Sequence, residues 1–150
     1  MIDDLGTRLR AVCDMSVADV RGGAGRHEYD GLIQDVSPAG IAAGLARLGG
    51  EPLDDELDTR HLEAFEADLR ATYATAAMHR WNPWVHLANL DLTVYERTYA
   101  PEAERADARR RHVAAWPDAV DMALESLTET PAPVAACLLP GVRGLAAELD

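Results

Sequence analysis

The sequence predicts an all-α protein, built as a bundle or array of about seven helices in a single domain. Apolar residues recur every three or four positions along most of the chain, and no segment alternates apolar and polar residues as a half-buried strand does. Glycine, proline and capping residues separate the helical segments. The chain has 150 residues, of which 48% are hydrophobic, so it fits one domain with a real core, and no linker is long enough to divide it.

Seven helical segments follow from this pattern. The first ends at the glycines after Arg21, and the second begins at Ser37 and Pro38, a cap and first residue typical of a helix start. The predicted helices cover approximately residues 2–20, 38–48, 54–79, 83–99 and 102–115, with two more opening at Trp116 and Thr130. The residues expected to face the core include Leu62, Phe65, Leu69, Tyr73 and Ala76 of the third helix and Val120, Leu124 and Leu127 of the sixth.

The helix predicted over residues 83–99 carries one residue that does not fit its surroundings. At about 100° per residue, Asp91 falls within the apolar arc, between Trp84 and Tyr95. Burial of a carboxylate is costly unless the group is paired, so we expect Asp91 to be buried and hydrogen-bonded to an arginine, a tyrosine or a tryptophan. The alternative is a pocket lined by Asp91 together with Trp84, His86 and Tyr95.

The loop over residues 27–36 is a second candidate site. It holds polar and aromatic groups between glycines and leads into a helix N-terminus at Ser37, and functional groups often lie on such loops. The candidate ligand- or interface-lining residues of the loop are His27, Tyr29, Asp30 and Asp35. The simpler interpretation is structural: Asp30 and Gly31 would form a turn, and Asp35 or Ser37 would cap the following helix.

The metal-binding pattern of the chain is incomplete. His27 and Glu28 begin like the zinc motif HExxH, but the second histidine would fall at position 31, which is Gly31. The two cysteines, Cys13 and Cys137, lie far apart and are interpreted as small buried hydrophobic residues. We therefore predict no metal, no cofactor and no catalytic residue in this chain.

Charge and composition argue against several classes of partner. Acidic residues outnumber basic ones by 26 to 14, and the formal net charge of −12 is unfavourable for nucleic acid and for anionic membranes. Every basic residue is arginine, which indicates a GC-rich, actinobacterial genome. The arginines over residues 105–111 are interpreted as a solvated face paired with acidic neighbours, with anion or partner binding as the alternative.

The location expected from the sequence is cytoplasmic. The acidic start of the chain, Met1 to Asp4, lacks the apolar region of a secretory signal. No apolar run approaches the roughly 20 residues that a membrane span needs.

Four phrases of the sequence resemble a known family. They are YDGLIQDVSPAGIAAGLARL (29–48), NPWVHLANLDLTVYERTYAP (82–101), RRRHVAAWPDAVDMALESL (109–127) and APVAACLLPGVRGLAAEL (132–149). Their order and spacing resemble the N-terminal region of a bacterial family known as domain of unknown function 885. Full members are longer, all-helical and similar to zincin-type metallohydrolases, with the metal motif in a C-terminal part that has no counterpart here. The resemblance implies a helical fold that forms one wall of a cleft.

The function expected on this basis is that of an accessory subunit. It would dock on a larger catalytic chain of the same family type and complete a cleft for a small molecule or peptide, as part of a biosynthetic pathway, and it would self-associate when alone. The expected interface is the apolar stripe of the last helix, with the loop over residues 29–37. The stripe includes Leu138, Val142, Leu145 and Leu149. The alternatives are an inert fragment of a metallohydrolase and an independent helical bundle that binds a small ligand.

Overall fold

The computed structural model describes residues 6–147 and confirms the all-α prediction. Within this range no residue belongs to a strand. The α-helices are α1 (Thr7–Asp14), α2 (Val17–Gly22), α3 (Pro38–Ala46), α4 (Glu56–Arg70), α5 (Pro83–Leu87), α6 (Glu102–Ala114), α7 (Trp116–Ser126) and α8 (Ala132–Ala147). Over the same residues, no helix is both long and apolar enough to cross a membrane.

The main core lies between α1, α3 and α4. Val12 of α1, Ile41 of α3 and Leu62 and Leu69 of α4 belong to one cluster of buried side chains. A smaller cluster joins Val94 and Tyr95 to Ala108 of α6. The first predicted helix is interrupted at Met15 and Ser16, so that α1 packs on α4 while α2 packs on a 3-10 turn at His27–Tyr29.

The long α4 differs from its prediction in phase and in length. Leu62, Leu69 and Tyr73 are buried as expected, but Phe65 is 63% exposed and Glu66 faces the interior in its place. The reason is a distant partner: Glu66 Oε1 and Oε2 accept hydrogen bonds from Arg8 of α1 at 2.7 and 2.9 Å. The helix ends earlier than residue 79, in a π-helical turn at Ala71–Thr75.

The segment over residues 83–99 is not one helix, and the prediction of a buried Asp91 is wrong. After α5 come two 3-10 turns, Ala88–Leu90 and Thr93–Glu96, with Asp91 extended between them (φ −75°, ψ 117°). This interruption removes the helical phase on which burial was predicted. Asp91 is exposed, and its carboxylate accepts the Thr93 N–H at 2.9 Å, so it satisfies the backbone at the break.

The last two helices leave apolar side chains in contact with solvent. In α7, Trp116, Ala119 and Ser126 are buried, whereas Val120 and Leu124 are 45% and 75% exposed, which contradicts their predicted inward position. α8 packs against α5. Its one internal proline, Pro140, lies within the helix rather than ending it.

Candidate functional site

The loop residues predicted as a site are mostly held by other parts of the protein. The His27 ring stacks on the Tyr99 ring with centroids 3.6 Å apart. Asp30 accepts a hydrogen bond from the Tyr99 hydroxyl at 2.5 Å. Tyr29 is 1% exposed and donates to Asp14 Oδ1 at 3.2 Å. These contacts fix the loop against α1 and against the segment that precedes α6, which favours a structural role.

Asp35 and Ser37 form the helix start that the simpler interpretation predicted. Ser37 Oγ donates to Asp35 Oδ1 at 2.6 Å and accepts the Gly40 N–H at 3.0 Å, so Ser37 caps α3. Asp35 Oδ1 also accepts the Ser37 N–H at 3.0 Å. Asp35 itself is exposed and serves the turn rather than a pocket.

A buried chain of hydrogen bonds begins at Tyr95. Its hydroxyl accepts the Gly31 N–H at 2.9 Å and lies 3.1 Å from Nδ1 of His112, a residue of α6 that is 0% exposed. Nε2 of His112 lies 2.7 Å from the Asn89 carbonyl oxygen. Because a carbonyl only accepts, Nε2 carries the proton and Nδ1 is the acceptor for Tyr95. Burial lowers the pKa of His112 below the ordinary imidazole value, in keeping with this neutral form.

The same chain continues towards α4. Asn89 accepts the Gln34 N–H and donates to the Gln34 carbonyl, both at 2.8 Å. The Gln34 side chain then donates to the Tyr73 hydroxyl at 2.9 Å. Arg21, which is 2% exposed, donates to the Leu32 carbonyl at 2.9 Å and lies over the Tyr95 ring. These bonds join the loop to residues 89–95, so Tyr95 belongs to the framework and not to an open pocket.

Tyr73, the last member of this chain, opens onto a cavity that we call the His79 pocket. Its volume is about 480 Å³. The lining residues are Pro38, Ile41, Ala42, Leu45, Tyr73, Ala74, Ala77, His79, Arg80, Glu125, Ser126 and Thr128. The floor is therefore apolar and comes from α3 and the π-helical turn, while the polar groups come from residues 79–80 and from the end of α7.

His79 is the unusual group of this pocket. It is 7% exposed, and its Nδ1 atom is buried with no hydrogen-bond partner in the part of the chain that the structure describes. Burial lowers the pKa of His79, with smaller contributions from His86 and Arg80, so the ring is neutral at pH 7. Unpaired polar atoms are uncommon in folded interiors, and Nδ1 of His86 is a second one among the described residues.

The backbone next to His79 is strained. Ala77 adopts a left-handed conformation with φ +47° and ψ +41°, which is uncommon for a residue other than glycine. It follows the π-helical turn that supplies Tyr73 and Ala74. Both features occur preferentially at functional sites. No local pattern in the sequence marks either feature, because both depend on how α4 meets the following turn.

His86 contacts the backbone of His79. Nε2 of His86 lies 2.7 Å from the His79 carbonyl oxygen and donates to it, so the contact is with the backbone and not with the ring. His86 is buried, and burial lowers its pKa. Among residues 6–147, no group of three or more His, Cys, Asp or Glu side chains could hold a metal ion.

A second feature is an exposed apolar surface, which we call the Trp84 face. Trp84 of α5 is 66% exposed, and Leu139 and Val142 of α8 are 46% and 42% exposed. A shallow cavity beside Trp84 is lined by Asn82, Trp84, Pro133, Val134, Cys137 and Leu138. Cys137 is exposed, so its predicted burial is wrong, whereas Cys13 is buried.

The predicted interface stripe on α8 can be followed only in part. Leu138 is half-buried and Val142 is exposed. The side chain of Leu145 and the whole of Leu149 lie outside the described residues.

Comparison with known proteins finds no protein-family model, no curated protein and no solved structure that matches this chain. The resemblance of the four sequence phrases to the domain of unknown function 885 family therefore remains a prediction.

Proposed function

We propose that this chain is an accessory subunit that docks through the Trp84 face on a larger catalytic chain of the same family type. The proposal includes a cytoplasmic complex that acts on a small molecule or peptide. The observation that carries it is the exposed position of Trp84 beside a helix that is itself exposed and apolar.

The composition of α8 supports docking on a protein surface. Arg143 is its one charged residue among the 16 residues of Ala132–Ala147, although 27% of the whole chain is charged. Most residues of this helix are exposed. Depletion of charge on an exposed surface, together with an accessible tryptophan, is typical of the centre of a protein interface.

The nature of the proposed partner rests on the family resemblance. In longer relatives the corresponding region would pack against the remainder of the same chain, and here a separate chain would cover the same surface. A second copy of this protein is the expected occupant when the chain is expressed alone. Isologous pairing of two Trp84 faces would bury the same residues.

The test is co-expression with a larger chain of this family type from the same source, followed by purification and light scattering. We expect a stable complex, and Trp84→Ala should weaken its affinity by at least about 30-fold, since a central tryptophan often contributes 2 kcal/mol or more. Phe65→Ala is the matched control, because Phe65 is 63% exposed but lies on α4. A stable monomer that ignores the larger chain would refute the proposal.

A further inference from the structure

We propose that the His79 pocket is a binding site for a small organic amine with an apolar body. This site does not depend on the accessory-subunit proposal, since no residue that lines it also lines the cavity beside Trp84. Its volume of about 480 Å³ lies within the range that small-molecule sites occupy.

The apolar body of the ligand is inferred from the floor of the pocket. Ile41, Ala42 and Leu45 of α3 and Ala74 of the π-helical turn present only hydrocarbon to the cavity. Ile41 is 3% exposed and belongs to the main core, and Leu45 packs against that core, whereas Ala42 and Ala74 are exposed. An aromatic or branched aliphatic group would bury apolar surface there without displacing any hydrogen-bonded side chain.

The charge of the ligand is inferred from the rim. Arg80 is already paired, with Nη2 2.6 Å from the Glu129 carboxylate. Glu125, on the last turn of α7, is exposed and has no ion-pair or hydrogen-bond partner within residues 6–147. The charge that remains available at the rim is therefore negative, as is the charge of the whole protein, and a protonated amine is the group that complements it.

The third contact is inferred from His79. A neutral imidazole has one N–H donor and one acceptor nitrogen, and Nδ1 of His79 has no partner within the described residues. Because Nδ1 is covered by protein atoms, His79 would meet the ligand as an uncharged aromatic ring and not as a hydrogen-bond partner. The neutral ring carries no positive charge that would repel an ammonium group.

The experiment is a titration of the whole chain with 2-phenylethylamine, isoamylamine and tryptamine. NMR signals of the histidine ring nitrogens are recorded at each ligand concentration. The neutral analogue 2-phenylethanol and the anion phenylacetate serve as comparators. We expect saturable shifts at His79 with the amines, and weaker binding of the alcohol by about fivefold, as loss of one exposed ion pair predicts. No saturable shift with any of the three amines, or equal binding of the alcohol or the anion, would overturn the proposal.

Two pairs of variants locate the site. Glu125→Gln should weaken amine binding by about fivefold, whereas Asp121→Asn, on an exposed position of the same helix, should not. Ala42→Phe should fill the cavity and abolish binding, whereas Ala43→Phe, at the neighbouring exposed position that does not line it, should leave binding intact. All four positions are exposed, so the fold is expected to survive each change. Binding that is insensitive to both Glu125→Gln and Ala42→Phe would contradict the assignment.

Discussion

The hydroxyl of Tyr95 lies 3.1 Å from Nδ1 of His112, a histidine with no exposed surface. The Tyr95 hydroxyl accepts the Gly31 N–H and donates its own proton to Nδ1 of His112. A protonated His112 could not accept that bond. The pair therefore links the loop over residues 27–36, residues 89–95 and α6 through uncharged groups that are hydrogen-bonded to each other.

Tyr95→Phe tests this junction. Removal of the hydroxyl leaves the Gly31 N–H and the His112 Nδ1 atom without their partner, so the free energy of unfolding should fall by about 2 kcal/mol. Chemical denaturation of the two proteins measures the difference. Trp84→Phe, at an exposed position, is the control and should leave the free energy of unfolding nearly unchanged. An equal effect of the two substitutions would show that the Tyr95 hydroxyl is not bonded as described.

Asp91→Ala should have a small effect, contrary to what the sequence pattern suggested. The carboxylate is exposed and, within residues 6–147, bonds only the backbone N–H of Thr93, so its loss should cost about 1 kcal/mol, as for other local side-chain caps. Asp91→Asn should cost less, because the amide oxygen can accept the same bond. Thermal denaturation gives the comparison, and a loss of 3 kcal/mol or more would restore the prediction of a buried carboxylate.

The contrast between Asp91 and Ser37 shows what the sequence could predict. The helical class, the helix starts and the order of the helices follow from local periodicity and turn chemistry, and the structure confirms Ser37 as a cap. The position of Asp91 required the assumption that one helix continues unbroken. A single extended residue invalidates that assumption, and no local signal in the sequence marks it.

Long-range partners explain the other errors. Glu66 is buried because Arg8, 58 positions earlier, neutralises it, and no pattern within α4 reports that pairing. The His79 pocket likewise combines α3, the turn after α4 and the end of α7, which are distant in sequence. The sequence indicated the loop over residues 27–36 as a candidate site because its polar groups are dense, but those groups bond each other and their neighbours.

Glu66→Gln tests the buried ion pair between α1 and α4. The Glu66 carboxylate also accepts the Gly49 N–H at 2.9 Å, so loss of its charge weakens three hydrogen bonds and should cost about 2 kcal/mol. Asp68→Asn, at an exposed position of the same helix, is the control. The hydrogen bonds from Arg8 hold the pKa of Glu66 below its ordinary value. This stabilisation is therefore present above the unfolded pKa of about 4.5 and is lost as the pH falls through the lower folded value. A denaturation midpoint that is unchanged by Glu66→Gln at pH 7 would refute the pair.

The buried histidines should make the protein less stable in mild acid. Burial lowers the pKa values of His79, His86 and His112 below the unfolded value of 6.5. Below that pH the unfolded chain binds more protons than the folded one, so the free energy of unfolding should decrease as the pH falls from 6.5. Denaturation at several pH values measures the slope. His61→Asn, at an exposed position on α4, should leave the slope unchanged, whereas His112→Gln should reduce it. A flat profile between pH 7 and 5 would contradict the neutral, buried state of these rings.

The two cysteines provide a direct probe of the Trp84 face. Cys137 is exposed on α8 and lines the cavity beside Trp84, whereas Cys13 is buried and burial raises the pKa of its thiol. Because the thiolate is the reactive form, a maleimide reagent should label Cys137 first and Cys13 only slowly. Labelling followed by mass spectrometry measures both sites, and Cys137→Ser should remove the fast reaction.

If the proposed larger chain, or a second copy of this protein, covers the Trp84 face, its addition should slow labelling of Cys137 and leave Cys13 unchanged. Trp84→Ala should abolish that protection, and Phe65→Ala should not. Protection of Cys137 that persists in Trp84→Ala would show that Trp84 does not anchor the partner.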